Sequence, residues 1–296
     1  MSLLWTSFFL SFALAAVASP VQQEDWKARN LATIEKIYNL TVYPYNRAIV
    51  DKGESEVPPG IFAKKVVGRV TPVGNFTDFT ESIEYFFGLA PTPDTNAAGI
   101  AFHKAEVSEF TSGCPEIASS VVNLRTGKMD LNGTYIPNTK YETTLKQIAF
   151  FKFNEKGEVI AYDAWIPNLQ RWTEIANGVN FGSSVVGWGL PVALCPEINK
   201  RCKDTNKQFQ STTDCVSKLE AKPTGSFDEA WGDNMVCRLI HFQLTIVRPE
   251  IHCPHVGPKG GAPPKNFKCV NTSYDDSYTD DVALFGSKNP FKCGAS

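Results

Sequence analysis

Near its C-terminus the chain reads "RPEIHCPHVGPKGG", Arg248 to Gly261, with His241 a short way upstream. His241, His252, Cys253 and His255 are residue types that bind zinc or build a thiol nucleophile with its base. Their spacing is neither a tight Cys-x2-Cys nor a His-x3-His grouping, and oxidation would remove the thiolate a metal needs from Cys253. A nucleophilic Cys253 would have to stay reduced and would leave an odd number of cysteines to pair. A disulfide asks for neither. Pro249, Pro254, Pro258, Gly257 and the Gly260-Gly261 pair predict irregular backbone that Cys253 would pin. We therefore expect a stapled loop, no metal and no cofactor, with His252 and His255 as loop hydrogen-bond donors or at a pocket mouth.

The oxidising compartment that this reading needs is indicated elsewhere. Residues 1–18 read as a cleaved signal peptide: an apolar run from Leu3 to Val17, then Ala16-Val17-Ala18 as the cleavage site. A membrane anchor is the competing reading, but about 15 apolar residues fall short of the roughly 20 that span a bilayer. No other stretch is long or apolar enough. Four N-glycosylation sequons stand at Asn39, Asn75, Asn132 and Asn271. The cysteine count is even: Cys114, Cys195, Cys202, Cys215, Cys237, Cys253, Cys269 and Cys293. Together these features place the chain in the secretory pathway or outside the cell. If all eight pair, the seven after residue 190 cannot pair among themselves, so Cys114 must bond to one of them. Even the shortest such loop stabilises by about 4–5 kcal/mol in the chain-entropy model. Which cysteine is the partner stays open among 105 connectivities, on the order of what eight cysteines allow.

The elements divide the 296 residues into a domain over 23–175, a Gly-rich connection over 176–192 and a Cys-rich region over 193–296. Apolar residues are 43% of the chain and charged residues 20%, enough for a packed core. A net charge of −2 lacks the basic face that phosphates need, so no nucleic-acid partner is expected. Trp26, Leu31, Ile34, Ile37 and Tyr38 recur at helical spacing over Glu24 to Val50, with Pro44 as a kink or stop. "TDFTESIEYFFG" reads as a second helix, capped by Asp78 and Glu81 and ended by Gly88. After Gly99 the period becomes two, and "GIAFHKAEVSEF", "EIASSVVNL", "KQIAFFKF" and "EVIAYDAWI" read as strands. Helices followed by antiparallel strands predict an α+β fold with helices on one face of a curved sheet.

That order, and above all the hairpin "LKQIAFFKFNEKGEVIAYDAWIPNLQRW" from Leu145 to Trp172, resembles the NTF2-like superfamily, also called ketosteroid-isomerase-like or SnoaL-like. The resemblance covers roughly residues 24–175 and implies a cone with a pocket. The tail "WGDNMVCRLIHFQLTIVRPEIHCPHVGPKGG" looks like a block of secreted fungal proteins with such a domain. One similar fungal group, the dimerising cyclases of maleidride biosynthesis, couples maleic-anhydride units into a ring.

The resemblance implies cofactor-independent acid–base chemistry in a dry pocket: a base takes a proton beside a carbonyl while a donor meets the enolate oxygen. Asp163 is the first candidate base, sharing its strand face with Val159, Ala161 and Trp165; a pocket would raise its pKa, and solvation at the strand end is the plain alternative. His103, facing the same way as Ala101 and Ala105, is the second candidate or a hydrogen-bonded strand histidine. Glu106 points to the other face and cannot join it without a bulge. Tyr85 is a candidate acid or a helix–sheet packing residue. No G-x-S-x-G, Walker A, H-E-x-x-H or G-x-G-x-x-G signature occurs.

The expected function is therefore a fungal secondary-metabolite enzyme acting on a small hydrophobic carbonyl or anhydride, a maleidride-type cyclase in its sharpest form. The competing reading is a secreted ligand-binding or effector protein. A buried carboxylate in the cone would favour the enzyme, and a cone filled by its own aromatics the binder. A homodimer or a partner protein is left open.

Overall fold

The computed structural model describes residues 25–93, 97–130, 132–262 and 266–294. The expected signal peptide, 1–18, lies outside them. Helix α1 (Trp26–Asn39) starts on Asp25, whose carboxylate accepts from the amides of Lys27 and Ala28. It ends before Pro44, and a second helix, α2, runs Tyr45–Lys52. Ile34, Ile37 and Tyr38 give α1 its buried stripe.

Next come β1 (Phe62–Thr71) and β2 (Gly74–Phe76), then α3 (Phe79–Ile83), which leads directly into a single π turn over Glu84–Gly88. Asp78 caps α3 as expected, accepting from the Glu81 amide at 2.8 Å. The long strands β3 (Gly99–Cys114), β4 (Ile117–Met129), β6 (Thr143–Phe153) and β7 (Val159–Trp165) are the four anticipated ones, with the short β5 (Tyr135–Ile136) pairing onto β4. The sheet runs β2-β1-β7-β6-β4-β3. One pairing departs from the antiparallel expectation: β1 lies parallel to β7, with Arg69 opposite Asp163. One core joins α1, α2, α3 and the π turn to the inner face of this curved sheet, which closes into a cone.

The C-terminal region corrects two expectations. The Gly-rich connection shrinks to the stretch after α4 (Leu169–Asn177), because Ser183 caps a helix α5 (Ser184–Arg201) that absorbs Gly187, Gly189 and Pro191. The Ser183 hydroxyl accepts from the Val186 amide and sets the start of the helix, and burial of Leu194, Cys195 and Ile198 in the second core holds it against the weak helix preference of the glycines. The region after it is helical rather than irregular: α6 (Thr212–Leu219), α7 (Met235–Leu244) and α8 (Pro249–Val256). Pro249 sits in the first turn of α8, where its missing N–H costs nothing. Leu194, Ile198, Phe209, Leu219, Met235 and Val256 form a second core around Cys195–Cys215 and Cys202–Cys253.

Cys237–Cys269 and Cys114–Cys293 complete the set, and no cysteine is free. The parity argument holds, and Cys293 is the partner it left open. Two short helices, α9 (Tyr274–Tyr278) and α10 (Asp281–Phe285), precede that last bridge. Four disulfides fit an oxidising compartment. Among the described residues no helix is long and apolar enough to cross a membrane.

Candidate active site

A cavity of about 480 Å³ lies between the inner face of the cone and the C-terminal helices. The cone contributes Tyr38, Tyr85, Phe86, Phe102, Leu124 and Gln147, and the C-terminal region closes it with Arg201, Phe227, Leu239, Ile240 and Phe242. Apolar groups dominate, as in most small-molecule pockets. The described lining holds no Asp, Glu, His or Lys; Arg201 is its only charge.

Two phenols are the polar centre of this wall. Gln147, 3% exposed on β6, donates from Nε2 to the Tyr85 hydroxyl at 3.2 Å. That bond occupies an acceptor position and leaves the Tyr85 O–H free to donate. The Tyr38 hydroxyl is buried without a hydrogen-bond partner. Burial pushes the Tyr85 pKa far above the ordinary phenol value, against the Gln147 hydrogen bond. Burial raises Tyr38 as well, reinforced by the neighbouring Tyr85 and Tyr162. Both phenols are therefore neutral donors at any physiological pH. Tyr162 is spoken for, donating to Ser82 Oγ at 3.1 Å.

Arg201 stacks on the Phe242 ring at 4.0 Å, and its Nη1 donates to the Phe242 carbonyl oxygen at 3.2 Å. Burial lowers its pKa, and among the described residues it makes no ion pair. A guanidinium in that position suits an anionic or strongly polar ligand group.

The three anticipated site residues separate. Tyr85 lines the cavity. Asp163 does not, which corrects the expectation that its strand face lines the pocket. Tyr162 points inward from β7, so Asp163 points to the opposite face of the sheet. There it forms a buried ion pair with Arg69, whose Nη2 also donates to Asp281 Oδ1 at 2.7 Å. Burial raises the Asp163 pKa and Arg69 opposes that rise. His103 is also outside the cavity. It is the extra residue of a β3 bulge between Phe102 and Lys104, stacked on Tyr135 with ring centres 3.9 Å apart. Burial lowers its pKa. Glu106 does not reach it, pairing instead with Lys104 and Arg125, each at 2.9 Å.

Sequence reasoning missed Gln147, Tyr38 and Arg201 as site residues. It also missed a polar cluster directly behind Tyr85. Glu84, 3% exposed, is clamped by both Nε and Nη2 of Arg248 and lies 3.1 Å from His252 Nε2. Burial pushes the Glu84 carboxyl up, but the bonds from His252 and Arg248 outweigh it and hold the pKa below the usual glutamate value. Cys253 is a staple as expected, yet α8 carries His252 and His255 to the same place as His241 of α7. Helical i, i+3 spacing was the available signal.

Comparison with known proteins follows this division. Residues 173–271, from α4 to just beyond Cys269, match the family model for the BfoA family C-terminal domain. The chain is 25% identical over 271 residues to the Aurasperone B biosynthesis cluster protein A of Aspergillus niger, covering 88% of this chain and 83% of that one. It is 26% identical over 247 residues to the Bifonsecin B biosynthesis cluster protein A of Aspergillus brasiliensis, covering 77% and 79%. Among solved structures, a ketosteroid isomerase-like protein from Erwinia carotovora atroseptica covers 49% of this chain and 99% of its own, at 12% identity and a TM-score of 0.30. An LEH-like epoxide hydrolase of Mycobacterium tuberculosis covers 51% and 88%, at 5% identity and a TM-score of 0.33.

Proposed function

We propose that this protein is a cofactor-independent cyclase of a fungal biosynthetic pathway, acting on an apolar intermediate with several carbonyl groups. The observation that carries the reading is the pair of neutral phenols, Tyr85 held by Gln147 and Tyr38 without a partner, on the wall of an otherwise apolar cavity. The kinship with two biosynthesis cluster proteins supports the setting.

A side-chain base is missing from the described lining, which weighs against generating a carbanion from a maleic anhydride. It suits an intramolecular aldol addition of a substrate that is already enolised. The enol carbon attacks a carbonyl carbon; the new C–C bond forms as the C=O π bond breaks. The developing alkoxide takes the Tyr85 proton while the enol hydroxyl, bonded to the same phenol oxygen, replaces it. No proton is gained or lost overall. Tyr38 donates to the same alkoxide, and Arg201 anchors an acidic group of the substrate near the C-terminal helices. Such preorganised donors act strongly where water is excluded.

The absence of a base also favours a second reading, a carrier that binds the intermediate without changing it. Mass spectrometry of cultures lacking the gene, complemented with the wild type or Tyr85→Phe, separates the two. The cyclase reading predicts loss of a ring-closed product, accumulation of an isomeric open precursor, and little rescue by Tyr85→Phe. Full rescue by that variant favours the carrier, and an unchanged profile without the gene overturns both.

A further inference from the structure

Behind Tyr85 lies a second, much smaller cavity of about 30 Å³. His241 reaches it from α7, and His252 and His255 reach it one turn apart from α8. One ligand nitrogen from each lies within 4.8 Å of the other two. The ring centres stand 5.7, 4.6 and 5.4 Å apart. Three imidazoles on one tetrahedral zinc, with bonds of about 2.0–2.1 Å, have ring centres about 5 Å apart.

Polar atoms left without a hydrogen bond concentrate here. His241 Nδ1, His252 Nδ1 and Asn75 Oδ1 are buried and unpartnered, and all three residues border the cavity. His252 is 5% exposed. Its tautomer follows from Glu84: an ionised carboxylate only accepts, so the hydrogen sits on Nε2 and Nδ1 keeps its lone pair. A carboxylate behind a histidine is the arrangement that orients metal ligands. Lys268 faces the cavity as well, but its ammonium is engaged by the Asn75 carbonyl oxygen at 2.8 Å. Cys237 and Cys269 adjoin His241 and are excluded as ligands by their disulfide.

We propose that His241, His252 and His255 bind one divalent metal ion of the zinc class, completed by a further ligand within the small cavity. Three neutral nitrogen donors suit zinc, copper or nickel and do not suit calcium or magnesium. The ion would hold α7 and α8 together beside the Glu84–Arg248 pair, and so brace the wall that carries Tyr85.

The test is metal content and cobalt spectroscopy of the full chain, purified without a metal-chelating resin, stripped with a chelator and titrated with Zn²⁺ or Co²⁺. We expect one equivalent per chain, a tetrahedral cobalt absorption band, loss of both in His241→Phe, and binding about 10–100-fold weaker in Glu84→Gln. Intact disulfides and an unchanged circular dichroism spectrum check the fold of each variant. The wild-type cobalt spectrum needs no variant at all. The chain has four histidines, so only His103 lies outside the cluster. Substoichiometric metal, no tetrahedral band, or binding lost with His103→Phe and kept in His241→Phe would each overturn the site; a bound water alone gives the first of these results.

Discussion

Arg69 and Asp163 stand opposite each other in the parallel pair β1–β7, and their side chains form a buried ion pair closed from outside by Asp281. Both are sealed from the cavity by the sheet itself. Asp163→Asn removes one charge from this site and leaves Arg69 with Asp281 alone. Breaking a buried pair on one side costs up to about 3–5 kcal/mol, and the retained Asn hydrogen bond brings the expected loss nearer 1–3 kcal/mol. Urea unfolding should show that loss, while product formation per folded molecule stays at the wild-type level.

Tyr38→Phe should separate stability from activity in the opposite sense. Its hydroxyl has no partner, so removing it should leave the unfolding free energy unchanged or raise it by about 1 kcal/mol. The same substitution should slow the chemical step, since one alkoxide donor is lost. Tyr85→Phe should cost about 10²–10³ in rate, the range for removing an oxyanion donor. Single-turnover kinetics on the accumulated precursor measures both.

Arg238 is fully buried, donating to the carbonyl oxygens of Asn234 and Gly257 at 2.9 and 3.2 Å and to Asp233 at 2.7 Å. Arg238→Ala removes all three bonds, leaves Asp233 with Lys222 alone, and should destabilise the C-terminal region by about 3–5 kcal/mol. Hydrogen exchange should locate that loss in α7 and α8 before it reaches the sheet.

The same pair sets a pH dependence. Burial pushes the Asp233 carboxyl up, but hydrogen bonds from Lys222 and Arg238 outweigh it, so the folded pKa is depressed. A depressed carboxylate pKa gives stability that is fully present above the unfolded value, near about 3.9, and lost as the pH falls through the folded value. Tm should therefore fall in that acidic window, and less steeply in Asp233→Asn. Differential scanning calorimetry from neutral to acidic pH measures the two slopes.

Cys114–Cys293 closes a separation of 179 residues, worth about 5 kcal/mol in the chain-entropy model. Replacing both cysteines by serine should lower stability by up to that amount and raise exchange over α9 and α10. Ligand binding in the cavity should persist, because neither helix lines it.

Much of this architecture is legible in the sequence because it repeats at short range. The period-two runs gave four long strands at their true places, and Asp78 announced α3. Strand β1 escaped because Gly68 interrupts its pattern, and the reason is tertiary: a Cβ there would lie 2.0–2.3 Å from the Tyr162 ring. Alternation grouped Asp163 with Ala161 and Trp165 but also with Val159, which a bulge turns into the core, and it could not say which side holds the cavity. The three histidines were singled out by type and set aside on spacing for a similar reason. Spacing rules assume one loop, whereas α7 and α8 bring these side chains together by packing. Tyr85 was a candidate by resemblance and does line the cavity, but the π turn that sends Glu84 one way and Tyr85 another has no short signature.

The Asp281 lid over Arg69 and Asp163 bridges 212 positions of sequence, and Cys114 waits for a partner 179 positions further on. Synthesis from the N-terminus therefore delivers the strands long before the segments that cover them. Until those segments dock, the Arg69–Asp163 pair is wet on one side and the Cys114 thiol is open to mispairing with earlier-emerging cysteines. The outer face of the sheet is thus finished last, by chain that has no part in building the cavity.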